Sequence, residues 1–209
     1  DFLQKIKPFE IMLRTMILVG CLCLLNTSFL SAHGDLHEQI DKTTKRIEKE
    51  PDNAALFLKR GQLYAQHKEL DNAQNDFERA RTLNPELWIT DLLLAKIFSE
   101  NDEAGIALEH INSFLEKHPD NAEGLIIRSG IHQQLSDELA AQQDLELAFK
   151  NIQNPHPKHY ILIKEAILRA DFSNTQEALL WLDKGQAQFG FDIVLKEKEI
   201  EILTHSQQY

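Results

Sequence analysis

The sequence predicts an all-α fold, a right-handed α-solenoid of antiparallel helix pairs. Three observations carry that reading. Four alanines, Ala73, Ala107, Ala141 and Ala178, stand in register at gaps of 34, 34 and 37 residues. Each has a small residue twelve positions before it (Gly61, Ala95, Ser129, Ala166) and a large apolar residue four after it (Phe77, Ile111, Leu145, Leu182). Pro51, Pro85 and Pro119 recur with the same period. Such a period marks helix–turn–helix repeats, in which no repeat buries its own apolar face and neighbours must stack.

Residues 1–34 read as a leader. Arg14 precedes the apolar run Met16-Ile17-Leu18-Val19-Gly20-Cys21-Leu22-Cys23-Leu24-Leu25, and the small residues Ser28, Ser31, Ala32 and Gly34 follow. A cationic start, a short apolar core and a small-residue cleavage site are the layout of a secretory signal peptide. The core is shorter than the ~20 residues of a membrane span. Met12 is the expected start, and cleavage is expected after Ala32 or Gly34. The alternatives are an uncleaved anchor and a lipidated Cys21. The expected location is secreted or periplasmic, in a bacterial cell envelope, with no membrane insertion after cleavage.

Periodicity places the helices in order. Residues 36–49 are amphipathic through Leu36, Ile40 and Ile47 and read as an N-terminal capping helix within 35–50. Pairs follow at 53–67 and 70–82, 86–99 and 103–117, 120–134 and 137–150, and 158–171 and 174–188. Three repeats span 51–153. A linker and a degenerate fourth repeat span 154–190, with an insertion near Asn154–Lys158. The Pro-Asp-Asn runs at 51–53 and 119–121 read as helix stops followed by N-caps. A helix near 192–205, inside a closing segment 191–209, intersperses Ile193, Leu195, Ile200 and Leu203 with Lys196, Glu197, Lys198, Glu199 and Glu201. It reads as a polar-faced cap of the kind a solenoid needs for solubility.

The repeats resemble tetratricopeptide repeats. With position 1 at Ala54, Trp88, Ala122 and His159, that pattern expects a small residue at 8, an aromatic at 11, Ala at 20, a large apolar residue at 24, Ala at 27 and Pro at 32. Repeat one supplies Gly61, Tyr64, Ala73, Phe77, Ala80 and Pro85. Repeat two supplies Ala95, Phe98, Ala107, Ile111 and Pro119, with Phe114 at 27. Repeat three has Ser129, His132, Ala141, Leu145, Ala148 and Gln153; repeat four has Ala166, Arg169, Ala178, Leu182, Gly185 and Gly190.

The resemblance implies binding of a protein or peptide in a concave groove lined by the first helix of each repeat, at positions 2, 5, 9, 12 and 13. Position 5 is Leu58, Leu92, Ile126 and Ile163, and position 9 is Gln62, Lys96, Gly130 and Ile167. The lysine and asparagine of the family's C-terminal carboxylate clamp are absent from these positions. An aliphatic row edged by polar residues fits an apolar peptide. Alternatively, the row packs against neighbouring helices.

Charge, cysteine placement and motif content exclude more than they offer. The chain has 209 residues and a net charge of −11. Residues 1–34, where Lys5, Lys7 and Arg14 outnumber Asp1 and Glu10 by one, leave −12 when removed. An acidic chain repels phosphate backbones, so nucleic acid is not an expected partner. Cys21 and Cys23 both lie in the leader, so no disulfide is expected in the mature chain. No phosphate loop, nucleophile elbow or zinc helix occurs, and neither catalysis nor a cofactor is expected. The metal candidates are His33, as a mature N-terminus chelating copper, and His37 nearby. His156 and His159 read as a solvated loop.

Arg and Asp occur jointly at positions 7 and 23, as Arg60 with Asp76 and Arg128 with Asp144. Repeat two has Leu94 and His110 there, and repeat four has Glu165 and Trp181. The two couples are expected to be structural ion pairs. The sequence thus points to an exported, non-enzymatic protein-interaction scaffold. Its rivals are a secreted copper-binding protein using His33 and an accessory subunit of an envelope enzyme; the oligomeric state is left open.

Overall fold

The computed structural model describes residues 35–206, with side chains through Thr204. The expected leader, its cleavage point, Cys21, Cys23 and His33 lie outside those residues. Among the described residues all regular structure is helical. Helix α1 is seen over 35–49. It is followed by α2 Ala54–Gln66, α3 Leu70–Leu83, α4 Ile89–Glu100, α5 Ala104–Lys117, α6 Ala122–Gln134, α7 Glu138–Asn151, α8 Pro157–Ala170, α9 Thr175–Phe189 and α10 Ile193–Ser206. None of them is long and apolar enough to cross a membrane.

The chain divides into two compact units, Asp1–Leu83 and Asn84–Tyr209. In the first, α1 accompanies the α2–α3 hairpin. In the second, the hairpins α4–α5, α6–α7 and α8–α9 are followed by α10. The first and second helix of each hairpin are called A and B below.

The period has a packing cause. Ala73, Ala107, Ala141 and Ala178 are all fully buried, and so are Ala95 and Ala166 opposite two of them. These small residues let the A and B helices close together. Phe77, Ile111 and Leu182, four residues after an alanine, are likewise fully buried, and Leu145 nearly so. In repeat one the small residue of the pair is Gly61. A Cβ on Gly61 would stand 2.5 Å from the Phe77 ring and 3.2 Å from the Ala73 carbonyl oxygen, so only glycine fits.

The A–B turns of repeats one to three share a device that the sequence did not announce. Lys68, Asp102 and Ser136, all at position 15, have φ of 66°, 62° and 60°. Each turn closes the A helix with a backbone bond spanning five residues: Glu69 N to Tyr64 O, Glu103 N to Phe98 O and Asp137 N to His132 O. This left-handed closure is usually made by glycine. Repeat four turns differently, with no positive φ at Ser173.

Asn53 and Asn121 cap α2 and α6, accepting from Ala55 N at 3.1 Å and Gly124 N at 2.8 Å. Three expectations need correction. Helix α4 starts at Ile89 rather than residue 86, because Asn84 Oδ1 accepts from Glu86 N and holds a turn before the helix. His156 and His159 are not a free loop. His156 N donates to His159 Nδ1 at 3.0 Å and Lys158 N donates to His156 Nδ1 at 3.3 Å, a reciprocal cap on α8 with Pro157 at its first position. Finally, α10 is not polar on its outer side. Leu195 and Ile202 are buried, yet Ile193, Val194, Ile200 and Leu203 remain exposed, as does Phe191 before the helix. Its apolar residues surround the helix instead of forming one stripe.

Candidate interaction face

Two ion pairs fix the helices that carry the face. Arg60 donates from Nε and Nη2 to the two oxygens of Asp76, both at 2.7 Å. Arg128 does the same to Asp144 at 2.7 and 2.6 Å. Each is a two-point guanidinium–carboxylate contact linking an A helix to its B helix. Asp76 and Asp144 are buried, and the arginines are half-buried. The carboxylate bonds raise both guanidinium pKa values above the ordinary arginine value, against the opposing effect of burial.

The spare nitrogen of each arginine was not foreseen. Arg60 Nη1 donates to Thr44 Oγ1 on α1 at 3.1 Å, and Arg128 Nη1 donates to Asn112 Oδ1 on α5 at 3.0 Å. Each acceptor lies sixteen residues before its arginine. Arginine at position 7 therefore joins its own hairpin and reaches back to the helix before it. Repeat two replaces this with the opposite polarity. His110 Nδ1 lies 2.9 Å from Asp91 Oδ1, so the acid is on the A helix and the base on the B helix. The Phe98 ring stacks on His110 at 5.4 Å.

The position-5 row divides on exposure. Leu92 and Ile163 are buried, at 3% and 1% exposure. Ile126 is half-buried and packs against the core cluster of Leu145, Tyr160, Ile163, Ile167 and Leu182. Leu58 is half-buried in the first compact unit. At position 9 Ile167 is buried, Gln62 and Gly130 are exposed, and Lys96 is half-buried. In the second compact unit the row therefore serves mainly to stack helices.

The side-chain bridges between the A helices of the second compact unit are polar. Lys96 Nζ donates to Glu123 Oε1 at 2.6 Å, from α4 to α6. Ser99 and Gln134 bond twice: Ser99 Oγ to Gln134 Oε1, and Gln134 Nε2 to the Ser99 carbonyl, both at 3.0 Å. Arg169 Nη1 on α8 donates to Gln133 Oε1 on α6 at 3.1 Å. Among these bridges sits Gly130, where an added Cβ would meet nothing within 4 Å. The residues are positions 2, 9, 12 and 13 of the repeats, together with Arg169.

His37 lies on α1 with its ring 4.3 Å from that of His67. Among the described residues no group of three or more His, Cys, Asp or Glu side chains is placed to hold a metal ion.

Paired A and B helices, buried alanines at a 34-residue period and a face formed by successive A helices define a tetratricopeptide-type helical repeat fold. No protein-family model matches the chain, and no curated protein sequence matches it. Solved structures share its architecture. A tetratricopeptide repeat protein from Parabacteroides merdae superposes with a TM-score of 0.69 at 20% identity, covering 81% of this chain and 66% of its own. MamA from Desulfovibrio magneticus RS-1 does so with 0.67 at 11% identity, covering 76% and 90%. YrrB, a TPR protein with an unusual peptide-binding site, gives 0.65 at 14%, covering 79% and 84%. At such identities the likeness is one of fold.

Proposed function

We propose that this protein is an exported, non-enzymatic scaffold that binds an extended protein segment along its A helices. The observation that carries this reading is the polar ladder on α4, α6 and α8 with Gly130 open at its centre. Side chains held in fixed pairs form a pre-organised surface, which lowers the ordering cost of binding. A bare glycine in mid-helix lets a partner's backbone approach closely. The peptide-binding site of YrrB shows that this fold can present one. Recognition would rest on polar contacts rather than on the aliphatic row, because Leu92 and Ile163 are buried.

The test is site-specific photocrosslinking in the native host, with the probe residue at Lys96, Gly130 or Gln134, and at exposed Glu109 on α5 as control. Adducts to one protein from the first three sites and not from Glu109 support the reading. Equal adducts from Glu109 would sink it. Export is tested by the intact mass of protein recovered outside the cytoplasm. A chain starting at His33 or Asp35 supports it; one retaining Met16–Leu25 counts against it, and a lipid adduct on Cys21 would mean anchoring.

A further inference from the structure

We infer that the pocket between α8, the α8–α9 turn and α10 is a binding site for a small organic monocarboxylate with a compact apolar body. The site lies apart from the polar ladder and goes beyond the scaffold reading. Its volume is about 150 Å³, and it is lined by Lys164, Leu168, Phe172, Thr175, Glu201 and Ile202. At ~30 Å³ per water molecule that is room for several non-hydrogen atoms.

Lys164 is the anomaly. Its side chain is only 6% exposed, and its ion pair with Glu165 Oε1 spans 3.8 Å. Charge-assisted hydrogen bonds are shorter, about 2.7–2.9 Å. Glu165 is itself 39% exposed, so much of its charge is directed to water. Glu201, on the pocket wall, bonds to Lys198 at 2.9 Å. Burial is the largest influence on Lys164 and lowers its pKa below the ordinary 10.5; Glu165 and Glu201 act against that, and Lys198 adds to it. A buried ammonium so weakly compensated is costly unless an anion completes it.

Burial sets Lys164 apart within its register. It occupies position 6 of its repeat, where repeats one to three carry Lys59, Leu93 and Ile127, and Lys59 is exposed. The remaining lining supplies the other half of an amphipathic ligand. Leu168 and Ile202 give aliphatic wall, and the Phe172 ring, 57% exposed, stands on the α8–α9 turn. Thr175 Oγ1 donates to the Phe172 carbonyl at 3.1 Å and holds that turn. Lys164 and Lys198 balance Glu165 and Glu201, so a single added negative charge meets less repulsion here than a phosphate dianion would. A bound carboxylate would tie α10 to α8.

The probes are hexanoate and 3-phenylpropanoate, with hexan-1-ol and hexylammonium as matched controls, titrated into the full chain by calorimetry and thermal melting. Saturable carboxylate binding with a Kd on the order of 1 mM or tighter, and a raised Tm, is the expected result. Lys164→Met keeps the apolar stem, removes the buried charge and is expected to fold at least as stably. It should weaken carboxylate binding ten-fold or more. Leu168→Trp fills the pocket with Lys164 intact and should do likewise. Affinity should fall as pH rises through the Lys164 pKa. No saturable binding at about 10 mM, equal binding of hexan-1-ol or hexylammonium, or unchanged binding by Lys164→Met would each overturn the assignment.

Discussion

Arg128 and Asp144 meet at two points, with Nε and Nη2 of the arginine 2.7 and 2.6 Å from the two carboxylate oxygens. The contact recurs in repeat one, and in both cases the third nitrogen reaches the preceding helix. Each arginine is therefore a joint of three helices.

Breaking one partner should be costly. Arg128→Met strands the buried Asp144 carboxylate, and a loss of about 3 kcal/mol is expected, at the low end for buried pairs because the guanidinium still touches water. Asp144→Leu alone should cost a similar amount. The double variant should recover much of the loss. Urea unfolding of all four proteins measures the coupling, and purely additive losses would show that the contact contributes nothing.

Exposure at positions 5 and 9 sets an order of sensitivity. Leu92→Glu places an unpaired charge at a site only 3% exposed, and a loss above about 3 kcal/mol is expected. Gln62→Ala, at an exposed site, should stay within roughly 0.5 kcal/mol of the parent. If Leu92→Glu melts like the parent, the residue is a surface group and the aliphatic row belongs to the groove.

Two glycines should respond to alanine with opposite signs. At Gly61 the new methyl would lie 2.5 Å from the Phe77 ring and near the Ala73 carbonyl, so the hairpin must open; a loss of about 1–3 kcal/mol is expected. At Gly130 the space is empty, and alanine should stabilise α6 by roughly 0.5–1 kcal/mol. The same Gly130→Ala change should weaken partner capture if a backbone approaches there. Chemical denaturation and a binding assay on one preparation read both effects.

The cap on α8 makes stability sensitive to acid. His159 Nδ1 accepts from His156 N, a role open only to an unprotonated nitrogen. Burial, then the charges of Lys158 and His156, lower the His159 pKa below 6.5 in the fold. The unfolded chain thus binds the proton more readily, so the contribution is complete above about pH 6.5 and is lost as pH falls through 6.5 toward the lower folded value. His159→Gln should flatten that part of the stability profile. An unchanged slope between about pH 7 and 5 would remove His159 from the account.

The sequence by itself determined the repeat, the helix order and the joint occurrence of Arg and Asp at positions 7 and 23. These follow from local rules: a small residue wherever two helices must touch, proline and asparagine where a helix stops and restarts, and a carboxylate wherever an arginine is half-buried. Spacing alone carries that information, because the helix period of 3.6 residues fixes which side chains share a face.

What the sequence left open was decided by neighbours distant along the chain. Spacing cannot tell a stacking face from a binding face when both are aliphatic, and only burial separated Leu92 and Ile163 from exposed Gln62 and Gly130. The reversed acid–base pair of Asp91 and His110 had no positional precedent in the other repeats. The capping pair at His156 and His159, the left-handed turns at Lys68, Asp102 and Ser136, and the enclosure of Lys164 beside α10 depend on backbone geometry and on helices meeting in space. Those contacts are set by tertiary packing, to which a one-dimensional pattern of apolar and polar residues is nearly blind.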